Sequence, residues 1–385
     1  MNIQNINIKE IKPYDKNAKI HSKKQIQQVA NSIKRFGWVQ PLVVDKDNNL
    51  IIGHCRLLAA KLLDIKEAPA LRVENLSEQE IQALRLADNK LNESEWDMNL
   101  ALSELKGLDA ELFDLTGFDK DLLIEPDEKD DVIPENVEPV AKVGDIWQLG
   151  RHRVMCGDST KIKNVEKLMN GKKANEVITD PPYNTGMQEK VGVPASTRLK
   201  HMFNDKLTKE QFETLIVDVF ENMMDSTKED VVFYVFIDWR NVGYIKEKLS
   251  EIMSVNNVIV WDKKVHGLGS DYKFTYEMCV VGKKGKPKIK NRIGTDYQDI
   301  WRVQRTIGRN KDHATAKPIE LLEKPIMHGS KQDDIVLDLF LGSGSTLIAC
   351  EKTNRICYGM ELDPKYVDVI IKRWEDYTGN KAIKL

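Results

Sequence analysis

The chain lacks several features that would have assigned it to a class at once. Its five cysteines, Cys55, Cys156, Cys279, Cys350 and Cys357, contain no C-x-x-C pair. Their odd number argues against a disulfide framework, so most of them are expected to be small buried apolar residues. The seven histidines are scattered, without an H-E-x-x-H stretch or a Cys/His cluster, and no metal site is expected. No apolar run approaches the ~18 residues of a membrane span, and Met1–Lys12 lacks a signal-peptide layout. A cytoplasmic protein without a membrane partner is the expectation. Internal repeats are absent too.

A large net charge is also missing, since 58 basic residues nearly balance 60 acidic ones. The balance is not even along the chain. Residues Asp109–Glu138 hold twelve acids and two bases, whereas Lys283–Lys311 hold ten bases and two acids. One concentrated basic segment suits a polyanionic partner that touches one place, although a solvated lysine loop would look the same on charge alone. With 385 residues and 41% hydrophobic content, the chain can build two or three cores.

Three regions follow from the patterning. Residues 1–92 form a small α/β unit. "SKKQIQQVANSIKRFG" opens on a capping Ser22, repeats apolar residues at helical spacing and stops at Gly37. "PLVVDKDNNLIIG" reads as two short strands about an Asp/Asn turn. Residues 93–140 begin helical and end in "EPDEKDDVIPENVEP", expected to be a flexible linker. From residue 141 to 385, strand-like runs alternate with helical ones, which argues for a mainly parallel sheet covered on both faces.

Two stretches of that last region carry chemistry. In "EVITDPPYNTG" an apolar run ends at Asp180, and Pro181 and Pro182 deny a continuing strand its N–H donors. Asp180 and the ring of Tyr183 should therefore stand in a stiff loop at a strand's carboxyl end, where open α/β sheets bind ligands. In "DIVLDLFLGSGSTLIACEKTNRICYGMELD", Gly342 and Gly344 permit a tight turn that presents N–H groups at a helix start. About 20 residues on, Glu361 ends the next strand, where an acid accepts ribose hydroxyls. The turn is not G-x-G-x-x-G and has no phosphate-loop lysine. An adenosyl compound without a pyrophosphate is indicated, and S-adenosyl-L-methionine fits.

The two stretches explain each other. An exocyclic amino group on a base is a poor nucleophile, because its lone pair is delocalised into the ring. Asp180 and the Pro181 carbonyl could take its two hydrogens, while Tyr183 stacks on the base. Inside duplex DNA the base must first leave the stack.

Residues from about 143 to 380 resemble the amino-group DNA methyltransferases that modify adenine N6 or cytosine N4. "DPPYNTG" resembles the catalytic loop (Asp180, Pro181, Pro182, Tyr183) and "LDLFLGSGSTL" the cofactor loop (Asp338, Phe340, Gly342, Gly344, Ser345). "HATAKPIELLEKPI" resembles the element whose Lys317 lines the methionine part of the cofactor, and "GRHRVMCGDS" the segment placing Asp158 near the adenine. The catalytic loop precedes the cofactor loop, the permuted order of the β class. The resemblance implies a Rossmann-like fold, S-adenosyl-L-methionine and a double-stranded DNA partner. It favours adenine, because D-P-P-Y goes mostly with adenine and S-P-P-Y with cytosine. Trp261, Lys263 and Glu277 also stand in familiar positions.

DNA contacts are expected from Arg292, Arg302, Arg305 and Arg309, interleaved with Tyr297 and Trp301, and from "MQEKVGVPASTRLKHMFND". Asn17 to about Asn92 resembles a ParB-like domain, a fold shared with sulfiredoxin. Its G-x-x-R turn (Gly53, His54, Arg56) matches an anion or nucleotide site, against the alternative that Arg56 merely pairs with a carboxylate. Fusions of this kind are typical of phages and mobile elements. A homodimer, cytosine N4 as target, an RNA or protein substrate, and a non-catalytic DNA-binding or partition factor stay open at this point.

Overall fold

Along "VVFYVFI", Val231–Ile237, every residue is apolar or aromatic, as a strand buried on both faces requires. Val232, Tyr234 and Phe236 enter one core, and Val231, Phe233, Val235 and Ile237 enter another. This is the middle of a large sheet. The computed structural model describes residues 3–14, 19, 21–91, 98–118, 120–125, 127, 129–134, 137–184, 207–265, 272–287, 298–305 and 316–385. The chain divides into two units, Met1–Leu123 and Ile124–Leu385.

The first unit carries strands β1 (Ile3–Asn7), β2 (Leu42–Val44), β3 (Leu50–Ile52) and β4 (Glu67–Arg72) in the order β1-β4-β2-β3. Helix Lys23–Phe36 starts where Ser22 accepts the Gln25 N–H and stops at Gly37, as its sequence predicts. Helix His54–Leu62 follows β3 directly, and Leu57 and Ala60 pack with Leu42 and Leu50 of the sheet.

The second unit carries β5 (Ile146–Leu149), β6 (His152–Cys156), β7 (Ala174–Thr179), β8 (Thr227–Ile237), β9 (Ser254–Asp262), β10 (Tyr276–Lys284), β11 (Ile300–Arg302), β12 (Ile335–Asp338), β13 (Ile356–Glu361) and β14 (Ile383–Lys384). They form one sheet in the order β11-β9-β10-β8-β7-β12-β13-β6-β5-β14. The centre, from β8 to β6, is parallel, and β10 and β5 pair antiparallel on its flanks. Helices Ile319–Gly329, Ser345–Lys352 and Pro364–Thr378 supply the core on one face. Helices Ile162–Met169, Lys209–Asp225 and Val242–Ile252 supply the other. The expected α/β sheet covered on both faces is found.

The acidic stretch expected to be a flexible linker is instead tied down where it is described. Asp130 is 4% exposed and pairs with Lys352, which also meets Glu323 at 2.8 Å. The Asp130 carbonyl accepts from Arg373 at 2.9 Å, and Asp131 accepts the Ile319 N–H at 3.0 Å. The charge run that looked like a solvated segment contains the counter-charges for buried cations of the same unit.

Candidate active site

β7, β12, β13 and β6 are neighbours and run parallel. Their carboxyl ends therefore bring Asp180, the Gly342–Gly344 turn, Glu361 and Asp158 to one edge of the sheet, the usual place for a ligand in such a fold. The chain order of these residues is scrambled relative to their order in space.

The glycine turn is built as its sequence demands. Gly344 has φ +84° and caps helix Ser345–Lys352, and a Cβ there would stand 3.1 Å from Ile370. Gly342 has φ +55° and open space where its side chain would be. Its N–H donates to Glu361 Oε2 at 2.8 Å, and Glu361 Oε1 accepts from the Asp363 N–H at 2.9 Å. Burial raises the Glu361 carboxyl to about 7, against the pull of those N–H groups. Asp158, beyond β6, closes a turn by accepting from both the N–H and the hydroxyl of Thr160. An open glycine cradle between two acids at strand ends fits an adenosyl group with its ribose.

Other residues assigned to the cofactor brace the turn itself. Asp338, 3% exposed, accepts the Phe340 N–H at 3.0 Å on one oxygen and the Thr346 hydroxyl at 2.7 Å on the other. Burial pushes it to about 6. Phe340 packs against the core. Ser345 Oγ accepts from the buried Arg373, which also donates to the Ser343 carbonyl. Arg373 was missed by sequence reasoning. An arginine on the apolar face of "VDVIIKRW" was the available signal.

The loop that follows β7 holds a dense charge cluster. Lys317 Nζ lies 2.5 Å from Asp180 Oδ2, 3.1 Å from the Tyr183 hydroxyl and 3.4 Å from Glu277 Oε2. The Tyr183 hydroxyl donates to Glu277 Oε2 at 2.9 Å, and Lys263 Nζ meets Glu277 Oε1 at 2.5 Å. Asp180 Oδ1 is buried and has no hydrogen-bond donor among the described residues. Burial raises the Asp180 carboxyl, Lys317 opposes that, and Glu277 adds to it. Burial also works to raise Glu277, but Lys317 and Lys263 outweigh it and hold that carboxyl below its usual value. Burial disfavours the Lys317 charge, yet Asp180 and Glu277 overrule it and raise its pKa. The site thus pairs an ionised support, Glu277, with an acid whose proton affinity is increased.

The loop is held from the side as well. Asn241, missed in the sequence, donates to the Tyr183 carbonyl at 2.7 Å. Asn184, at φ +50°, binds both backbone groups of Leu207 through its side-chain amide. Pro181 is buried and Pro182 partly so. Lys317, expected along the methionine end of the cofactor, lies against Asp180. Of the four arginines expected to meet DNA, Arg302 is exposed on β11 and Arg305 follows it, half-buried. Arg292, Arg309 and the stretch at 187–205 lie outside the described residues.

In the first unit, Gly53 has φ +105°, and a Cβ there would stand 2.6 Å from Leu42, so only glycine fits before helix His54–Leu62. Arg56 donates to the Gln40 side chain, and the Asp88 carboxylate lies near enough to act on its charge. Arg56 Nε and His54 Nε2 are buried without partners among the described residues.

The strand ends thus bring an open glycine cradle, a buried acid oxygen without a described donor and a tyrosine to one edge of the sheet. The chain belongs to the N6/N4 DNA methylase family, which it matches over residues 174–373. It is a DNA amino-methyltransferase, and S-adenosyl-L-methionine is its methyl donor. Residues 1–90 match the ParB N-terminal domain. Among curated relatives, the type II methyltransferase M.HpaI of Haemophilus parainfluenzae is 25% identical over 257 residues, which are 60% of this chain and 77% of that protein. The ParB-like nuclease domain-containing protein YnaK of Escherichia coli K12 is 36% identical over 75 residues, 20% of this chain and 86% of that protein. Among solved structures, M1.HpyAVI bound to SAM aligns with a TM-score of 0.43 and 21% identity over 57% of this chain and 97% of that one. No described helix is long and apolar enough to cross a membrane.

Proposed function

We propose that the enzyme methylates N6 of an adenine turned out of duplex DNA, with Asp180, Pro181, Pro182 and Tyr183 holding the base. The observation that carries this reading is the buried, unpartnered Asp180 Oδ1, an acceptor that an exocyclic amino group would satisfy. An orphaned buried acceptor costs about 1–3 kcal/mol, which an arriving N–H recovers. Asp180 Oδ1 and the Pro181 carbonyl take the two amino hydrogens and localise the lone pair. Tyr183 lies against the base, its hydroxyl fixed by Glu277. The cofactor, when bound, supplies an electrophilic methyl group. Asp180, with its raised proton affinity, then receives the proton that the methylated amine sheds. Adenine rather than cytosine is supported by aspartate, in place of serine, before the two prolines.

The cofactor contacts are assigned to Gly342, Gly344, Glu361 and Asp158, with Asp338, Phe340 and Ser345 shaping the turn. DNA contacts are assigned to Arg292, Arg302, Arg305 and Arg309. In the ParB-like domain, Gly53, His54 and Arg56 offer N–H groups and a cation to a nucleotide phosphate. Labelled CTP and ATP titrated into the full chain test that site, and no saturable binding sensitive to Arg56→Ala would dismiss it. The enzyme works in the cytoplasm, where its DNA is.

The main test incubates the protein with mixed-sequence duplex DNA and S-adenosyl-L-methionine, then measures modified nucleosides by mass spectrometry. N6-methyladenine that disappears with Asp180→Ala is the expected result. N4-methylcytosine alone would overturn the choice of base.

A further inference from the structure

The segment Asp238–Asn241, "DWRN", leaves the carboxyl end of β8 beside the catalytic loop. Asn241 donates to the Tyr183 carbonyl, and Asp238 lies near enough to Glu277 and Lys263 to feel their charges. In this place stands Trp239, with 47% of its surface exposed. Large apolar side chains are rarely left in water without a reason when they also form a patch. Tyr272, two residues from the neighbouring Phe274, is 87% exposed.

The indole is exposed but braced. Asp238 Oδ1 accepts the Arg240 N–H at 2.8 Å, and Asp238 Oδ2 meets the Arg240 guanidinium at 3.4 Å. That guanidinium lies 5.6 Å from the Trp239 ring centre and 5.7 Å from that of Phe274, and the two rings are 6.4 Å apart. A cation shared at the side of two neighbouring rings is a cation–π arrangement. It fixes the tryptophan without covering it. The exposed Lys264, Lys273 and Arg302 belong to the same end of β9, β10 and β11.

We propose that Trp239 is a stacking platform for DNA, packing on a base bordering the gap left by the displaced target nucleotide. A rigid aromatic surface among cations is what unstacked nucleic acid requires, because every base has a face that can stack. The platform adjoins the loop that holds the target base, so one DNA strand can engage both. A protein partner or second copy of this chain would use the apolar patch but not the cations. The inference rests on the reading that the target base leaves the helix.

The test uses the full chain with Trp239→Ala and Trp239→Phe. Substrates are a duplex bearing a modified site mapped by sequencing, and the same duplex mismatched at the target. On paired DNA, Trp239→Ala should weaken binding about ten- to a hundredfold, while Trp239→Phe stays near wild type. Cofactor affinity, measured by calorimetry, should be unchanged in both. The mismatch lowers the cost of extrusion for wild type and variant alike, so the Trp239→Ala loss should be at least as large there. Wild-type binding by Trp239→Ala on paired DNA overturns the proposal, as does a loss that vanishes on the mismatched duplex. Unchanged DNA binding with altered sedimentation would identify a protein surface instead, and also overturns it. A wild type with no preference for mismatched targets tells against base extrusion itself. Trp239 is then judged on paired-DNA affinity alone, where an unaffected variant still overturns its role.

Discussion

Lys317 Nζ sits 2.5 Å from Asp180 Oδ2, while Asp180 Oδ1 has no donor among the described residues. The two oxygens of one carboxylate thus face different tasks. One is held by a cation, and the other is the acceptor that the proposed function gives to an incoming amino hydrogen. Glu277, at 3.4 Å, keeps the lysine charged, and the Tyr183 hydroxyl accepts from the lysine while donating to Glu277.

Lys317→Met should expose that dependence. Losing the cation leaves two acids near each other with little solvent, so stability should fall by about 3 kcal/mol. The low end of the usual range applies because Asp180 keeps 30% of its side chain exposed. Urea unfolding gives the stability. Methylation rates across pH should show the Asp180 limb moved upward.

Glu277→Gln should separate positioning from cofactor binding. It removes the charge that holds Lys263 and weakens the seat of the Tyr183 hydroxyl. Turnover should drop on the order of 10²-fold, the scale of a small misplacement of a reacting group. Cofactor affinity by calorimetry should stay within about threefold, because Glu277 lies on β10, away from the glycine turn. Equal losses in both would deny the separation.

Asp338 makes stability depend on pH in a definite sense. Its carboxyl titrates at about 6 in the fold, against about 3.9 unfolded. A raised acid stabilises while protonated, so its contribution is complete below about pH 4 and is lost as pH rises through 6. Relative to Asp338→Asn, the wild type should lose roughly 2–3 kcal/mol across that window. Paired urea titrations at several pH values measure it. A flat difference would mean that the acid is ionised throughout.

Gly344→Ala should cost more than a helix-start alanine normally would. The new Cβ meets Ile370 at 3.1 Å on a backbone at φ +84°. A loss of about 1–3 kcal/mol and weaker cofactor binding are expected from the strain. Thermal unfolding with and without cofactor checks both.

Reversing Arg302 and Arg305 to glutamate should lower DNA affinity far more than cofactor affinity. If each holds one phosphate, the slope of binding against salt should fall by about two. Filter binding at four salt concentrations decides, and an unchanged slope would remove these residues from the interface.

Much of this was legible in the sequence because its signals are local. Asp180–Tyr183 announces itself through two prolines that end a strand, and the Gly342–Gly344 turn through a conformation that only small residues tolerate. Ser22 and Gly37 mark their helix by capping chemistry alone. Long, doubly buried strands such as β8 follow from unbroken apolar runs. Strands β5, β6, β11 and β14 carry no such signal; three of them lie near the sheet's margins, where pairing rather than composition makes the strand.

The tertiary structure decided which distant residues meet. Glu277 reaches Tyr183, and Lys263 reaches Glu277, because β9 and β10 turn back antiparallel beside β8. Arg373 reaches Asp130 across more than 200 residues of chain, which turned an expected linker into part of a core. A buried charge must find its counter-charge in space, and no spacing along the chain encodes that meeting. The sequence by itself determined the chemistry at each strand end. The order of β7, β12, β13 and β6 in the sheet determined that those ends form one site, because only parallel neighbours present their carboxyl ends to the same edge.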